Sequence, residues 1–332
     1  MNILLTSVGR RTYLIEYFKD ALKPYNGRVY AANSIETYAL KQADFHTITP
    51  EIHSENYIKY LVDYCIANDI SAIISLFDID LPILSKHKKV FENNGIHVVV
   101  SDEEVIEICN DKWKTYQFLL ENKLPTPKTY LSLKEASLDA LYPLIVKPRW
   151  GMGSIGIYKA DNIDELNVFY KKVMKEISES YLRFESEAEI EQAVILQQFI
   201  SGSEYGIEVV NDFNKDYVTT LCKIKLAMRA GETDQAMIID EPKLSSIGRD
   251  LAEKLMHIGV LDTDCLEQDG NYYILEMNAR FGGQYPFSHL AGANLPKMIV
   301  DWLHHKSTKI TDATVRTGIT VIKDIQPIIL EH

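Results

Sequence analysis

Over its first hundred residues the chain alternates short apolar runs with amphipathic stretches of helical period, and few architectures accommodate that order. Residues 2–7 read as a strand. Residues 11–22 read as a helix with Tyr13, Leu14, Tyr17, Phe18 and Ala21 on one stripe. Strands at 28–32, 72–77 and 96–100 and helices at 57–68 and 81–93 continue the order. Such a βαβα succession predicts a parallel sheet with helices on both faces, which takes its ligands at the carboxyl ends of the strands. Those ends carry Ser7-Val8-Gly9-Arg10-Arg11, Asn33-Ser34 and Phe77-Asp78-Ile79-Asp80. The first loop has one glycine rather than the GxGxxG pattern, so a dinucleotide-dependent oxidoreductase is poorly supported.

A length of 332 residues suits two domains or three small ones. With 35 Lys and Arg against 47 Asp and Glu, the formal charge of −12 argues against a nucleic-acid partner. No apolar run approaches the roughly 18 residues that would span a membrane, and the first residues read as a strand rather than a signal peptide. Cys65, Cys109, Cys222 and Cys265 are far apart, with no CxxC pair. A disulfide framework or a zinc site is not expected, and a reducing cytoplasm is.

A serine before acids at Ser101-Asp102-Glu103-Glu104 marks a boundary and a helix start. A second helix begins at Asn110-Asp111-Lys112 and stops before Pro125 and Pro127. An apolar strand over 142–146 ends in Lys147-Pro148. A glycine loop follows, Arg149-Trp150-Gly151-Met152-Gly153-Ser154-Ile155-Gly156, and then a strand at 157–159. Helices are expected at 164–180 and 185–191, a β-rich stretch over 194–239, a helix at 245–258, and a hairpin of strands 264–267 and 272–277 turning at Gln268-Asp269-Gly270-Asn271. A helix at 295–304 and a strand near 318–323 complete the pattern. Glu276, Asn278 and Arg280 fall at every second position as that hairpin ends, so an acid, an amide and a guanidinium share one face. That grouping suits a divalent metal beside a phosphate chain. Lys147, ahead of the glycine loop, could reach over a nucleotide whose phosphates the loop's N–H groups cradle.

In this order the segments resemble the ATP-grasp superfamily over about residues 102–303. The stretch from Asn278 to Pro286 is similar to single-module enzymes related to the carbamoyl-phosphate synthase large subunit, among them the pyrrolysine-biosynthesis ligase. The fold so implied is α/β and α+β: a parallel βαβ domain over 1–101, a small lobe over 102–190 containing the glycine loop, a large lobe over 191–305 containing the metal hairpin, and a closing segment over 306–332. The resemblance implies that Lys112 and Lys147 contact ATP phosphates, with Gly151, Gly153 and Ser154 in the loop over them. Gln197, where many relatives carry Glu, frames the adenine with Gln198 and Ile200, and Glu204 binds the ribose. Lys223 or Lys225 reaches the phosphates. Asp264, with Asp262 as its rival, joins Glu276 and Asn278 in holding Mg2+ (or Mn2+), and Arg280 steadies the transferred phosphoryl group.

The reaction implied is ATP-dependent ligation of a small carboxylate to an amine through an acyl phosphate. A nucleotide-binding regulator without turnover and a partial carbamoyl-phosphate synthase activity are the alternatives. Substrate contacts are expected from Arg10, Ser34, Asp78, Asp80, Arg229, Glu232 and His289, since a cation pairs a carboxylate and an acid pairs an amine. Homodimerisation through the N-terminal domain is the assembly the resemblance implies.

Overall fold

The computed structural model describes residues 1–151, 155–180, 182–307 and 315–329. Five parallel strands, β1 (Asn2–Thr6), β2 (Val29–Asn33), β3 (Phe45–Ile48), β4 (Ile70–Ser75) and β5 (His97–Val98), form the first sheet in the order β3-β2-β1-β4-β5. The expected strand–helix alternation is there, with two differences. The edge strand β3 is mostly exposed and carries little apolar periodicity. The helix expected over 81–93 is two, Asp80–Lys86 and Lys88–Glu92, because His87 leaves helical geometry (φ −103°, ψ 12°).

Four strands, β6 (Thr129–Tyr130), β7 (Leu144–Pro148), β8 (Tyr158–Ala160) and β9 (Val194–Gln198), make a second, antiparallel sheet in the order β6-β9-β7-β8. Because β9 pairs with β6 and β7, the small lobe runs on to Gln198, past the boundary expected at 190. The third sheet has six strands: β10 (Ser203–Asn211), β11 (Tyr217–Arg229), β12 (Glu232–Ile239), β13 (Gly259–Gln268), β14 (Asn271–Asn278) and β15 (Thr320–Ile322), in the order β14-β13-β10-β11-β12-β15. The closing segment therefore adds an edge strand to the large lobe. Among the described residues no helix is long and apolar enough to cross a membrane.

Two apolar cores extend from the first sheet into the six-stranded one. In one of them Leu4, Ile73 and Leu84 belong to the same cluster as Ile207, Leu261 and Met277. In the other, Leu5, Phe18 and Ile74 cluster with Val210, Leu221 and Phe281. The four-stranded sheet has a core of its own, with Leu144, Val146, Leu166, Val173 and Leu196 buried together.

Candidate functional site

Lys112 opens the helix Lys112–Glu121, which Asp111 caps by accepting from the N–H groups of Trp113 (2.9 Å) and Lys114 (3.3 Å). The same carboxylate accepts Arg149 Nε at 2.8 Å and Nη2 at 2.6 Å, and Lys112 N donates to Arg149 O at 3.1 Å. A two-point guanidinium–carboxylate contact thus fixes the helix start against the segment just beyond Lys147. The Lys112 ammonium donates to Gly151 O at 2.5 Å and lies 3.9 Å from Glu276. Lys147 is buried at the end of β7, and its ammonium donates to Gln197 Oε1 at 2.8 Å. Burial, with Lys112 nearby, lowers the Lys147 pKa to about 8 against the opposing pull of Glu276.

The carboxylates stand on the paired strands β13 and β14, Asp264 opposite Glu276 and Asp262 opposite Asn278. The register slips between Asp264 and Cys265, so that Leu275 is an extra residue in β14. This bulge reverses the strand's facing. Tyr272 and Ile274 are buried before it and Met277 and Ala279 after it, which turns Glu276 and Asn278 away from the core.

Across β10, Lys225 bridges Glu204 and Asp264 at 2.7 Å each. Burial opposes its charge, but Asp264 and Glu204 hold the ammonium above the ordinary lysine range. Burial pushes Asp264 upward against the pull of Lys225, with Asp262 and Glu276 adding to the rise. Partial burial disfavours the Glu276 charge too, yet Lys112, Lys147, Lys225 and Arg280 together hold it below the usual carboxylate range. Arg280 donates through Nε and Nη2 to Asp78 at 2.9 and 2.7 Å and through Nη1 to Asp262 at 3.0 Å. This links the β13–β14 hairpin to the loop after β4. Gln284 Nε2 completes the cluster on Asp262 at 2.5 Å.

These side chains line two adjoining chambers. The first, about 90 Å³, is bounded by Lys112, Lys147, Trp150, Gly151, Ile155 and Glu204. The second, about 230 Å³, is bounded by Arg11, Phe77, Asp78, Glu232, Asp262, Asn278, Arg280 and Gln284. Asp264, Glu276, Met228 and Gly231 line both. A larger cavity, about 960 Å³, lies elsewhere, among His97, Phe213 and Trp302, and shares no residue with these two.

The expected residues Lys112, Lys147, Gly151, Glu204, Lys225, Asp264, Glu276, Asn278, Arg280, Asp78 and Glu232 therefore converge. Others do not. Lys223 has no exposed side-chain surface and is ion-paired to the equally buried Glu208. Of the two lysines on one strand face, Lys225 is the one at the site. Asp80 is wholly buried and accepts from Thr6 (2.5 Å), Ser75 (2.8 Å), Tyr57 (2.8 Å) and Ser7 (3.2 Å), so it braces the loop and cannot reach a substrate. Arg229 is tied to Asp234 at 2.7 Å on the β11–β12 turn. His289 stacks on Tyr17 at 3.5 Å and shares a 2.9 Å hydrogen bond with the Tyr285 hydroxyl, a packing role. Arg10 is exposed, Ser34 half-buried, and neither lines a chamber. Gln197 gives its amide oxygen to Lys147 and one Nε2 hydrogen to Thr129 at 3.0 Å, and it lies outside the chamber walls. Gln198 is exposed and Ile200 buried, and both lie outside the chamber walls. Gly153 and Ser154 lie outside the described residues. Arg11 and Gln284 were not foreseen. Asp262 was foreseen only as a rival to Asp264, whereas both carboxylates face the second chamber.

The buried Lys223–Glu208 pair has a measurable consequence. Lys223→Met leaves Glu208 buried and unpaired, apart from the Ser288 hydroxyl it accepts at 2.6 Å. Urea unfolding is expected to show a loss of about 3–5 kcal/mol, much of it recovered when Glu208 is also replaced by Gln.

The donor set fits a magnesium ion. Among the described residues no three His, Cys, Asp or Glu converge closely enough to hold a metal unaided. What the site offers instead is two carboxylates, Asp264 and Glu276, and the Asn278 amide, which makes no side-chain hydrogen bond among the described residues. Mg2+ takes few protein oxygens and keeps water and phosphate oxygens.

Residues 3–99 match the PylC-like N-terminal domain and residues 109–284 match the ATP-grasp domain. The chain is 24% identical over 249 residues to a carbamoyl-phosphate synthase of Methanobrevibacter smithii, covering 69% of this chain and 62% of that protein. It is 25% identical over 204 residues to the D-alanine–D-alanine ligase of Petrotoga mobilis, covering 55% of this chain and 61% of that one. The chain thus spans less than two thirds of the length of these relatives. In fold it is similar to the biotin carboxylase domain of the Hydrogenobacter thermophilus 2-oxoglutarate carboxylase, solved with MgADP and bicarbonate, at a TM-score of 0.77 and 18% identity over 96% of this chain and 73% of that one.

Proposed function

The chain belongs to the ATP-grasp family, and from that premise we propose that it is an ATP- and Mg2+-dependent ligase joining a small carboxylic acid to an amine through an acyl phosphate. The observation that carries this reading is the wall shared by the two chambers, where Asp264 and Glu276 face both. One chamber is rich in lysines, as a phosphate chain requires. The other reaches the loops of the N-terminal sheet, where substrates of such sheets bind.

In this mechanism Lys112, Lys147 and Lys225 exchange their present partners for phosphate oxygens, and Glu204 accepts the ribose hydroxyls. Asp264, Glu276 and Asn278 hold Mg2+, which when bound neutralises charge building on the transferred phosphoryl group. Arg280 turns its guanidinium toward that group. The acid's carboxylate oxygen attacks the γ-phosphorus, and the bond to ADP breaks. The amine then attacks the acyl carbon, inorganic phosphate leaves, and the nitrogen gives up a proton. Side chains here position and neutralise rather than react, as phosphoryl transfer asks.

Phosphate release from MgATP in the presence of paired acids and amines tests the reading. Stimulation by one pair supports it. Tight MgATP binding with no stimulation by any pair would identify a nucleotide-binding regulator instead.

Lys147 supplies a second test. Its lowered pKa means that the folded protein loses this cation near pH 8, whereas an exposed lysine stays charged to about pH 10. MgATP affinity measured by calorimetry is expected to fall as pH rises through 8, and Lys147→Ala to bind MgATP about 10–100-fold more weakly at pH 7 without that inflection. Unchanged affinity in the variant would remove Lys147 from the nucleotide site.

A further inference from the structure

Arg11 is the cation of the second chamber that the mechanism above does not use. It follows a loop whose backbone is held under strain. Ser7 has φ 53° and Gly9 φ 52°, and a left-handed backbone is costly for serine. That conformation is fixed from several sides: Ser7 Oγ donates to Asp80 at 3.2 Å, Gly9 N donates to Asn33 Oδ1 at 3.3 Å, and Arg11 N donates to Val8 O at 2.9 Å. Asp80 is itself bound by Thr6, Tyr57 and Ser75, so a fully buried carboxylate anchors the turn that presents Arg11. Strain over-determined by its surroundings marks a position with a task.

The guanidinium so presented carries one hydrogen bond among the described residues, to the Phe281 carbonyl. Burial disfavours its charge and the neighbouring Arg280 disfavours it further, while Tyr13, Asp78 and Asp262 pull the other way. The two carboxylates that could have neutralised it, Asp78 and Asp262, are both spent on Arg280. A planar fork of five donors with one satisfied matches a carboxylate.

We propose that Arg11 binds the carboxylate of the substrate occupying the second chamber; the inference rests on the ligase reading. ATP phosphate is the other anion at hand: Lys225 and Arg280, assigned to it above, line the second chamber with Arg11, so the MgATP affinity of an Arg11 variant decides between the two. A volume of about 230 Å³ is on the order of eight water volumes, so the acid is compact.

The test uses the intact chain with MgATP and, as probes, the twenty common amino acids and small dicarboxylic acids. One or more acids are expected to stimulate phosphate release. Arg11→Gln should raise the half-saturating concentration of the stimulating acid at least tenfold while MgATP affinity, by calorimetry, stays within twofold. Arg11→Lys should recover part of the loss, and thermal melts of both variants within a few degrees of the parent would exclude a folding effect. An unchanged half-saturating concentration in Arg11→Gln, or a loss confined to MgATP affinity, would each overturn the assignment of Arg11 and leave the ligase reading standing. Failure of every acid to stimulate, with MgATP bound, would overturn both.

Discussion

Glu276→Gln is expected to abolish the proposed ligase turnover, by on the order of 10³-fold in kcat, while the protein stays folded. The exchange keeps the side chain's shape and removes one negative charge from the wall common to both chambers. That charge is the one on which Lys112, Lys147, Lys225 and Arg280 all bear. It is only loosely paired, the nearest ammonium lying 3.9 Å away, and a third of its side-chain surface is exposed, so little of the fold depends on it. Phosphate release under saturating MgATP, with a thermal melt beside it, makes the measurement. Near-normal Mg2+-dependent turnover in the variant would displace Glu276 from the metal site.

Arg280→Met is expected to be damaging in two separable ways. Arg280, Asp78 and Asp262 each have at most a tenth of their side-chain surface exposed. Removing the guanidinium strands two buried carboxylates, a cost of about 3–5 kcal/mol to be read from urea unfolding. Turnover of the folded fraction should fall on the order of 10³-fold, the scale of an arginine at a transferred phosphoryl group. Asp78→Asn separates the effects. Arg280 keeps its hold on Asp262, so that variant should lose less stability and retain most of its turnover. An Arg280→Met protein that turns over like the parent would leave the residue a purely structural clamp between hairpin and N-terminal loop.

Much of this site could be read from spacing alone, and its exceptions have physical causes. Glu276 and Asn278 both line the second chamber, but not through a plain period of two. In an unbroken strand Glu276 would have shared a face with the buried Ile274. The extra residue Leu275 separates them, and no local sequence signal announces such a bulge, because it depends on register with β13. Lys223 and Lys225 share a strand face and identical chemistry. What divides them is their partners: Glu208 stands within reach of the first, and Glu204 and Asp264 within reach of the second. Arg10 and Arg11 differ only in which way a strained turn points them. Asp80 looked like a substrate acid at a strand end, and its four hydroxyl partners, distributed from Thr6 to Ser75, are not visible in its neighbourhood of sequence. The N-terminal alternation was plain because each element buries its own apolar stripe. The edge strand β3, with little to bury, was not.

The distribution of apolar cores bears on how such an enzyme would work. The N-terminal sheet and the six-stranded sheet share two cores, so the loop carrying Arg11 and the hairpin carrying Glu276 and Arg280 behave as a single anvil whose parts keep their spacing. The four-stranded sheet is packed around its own interior, carries Lys147, and is tied to the anvil through the Asp111–Arg149 contact. Nucleotide and acid would thereby be gripped from different parts of the machine, joined at one buried ion pair.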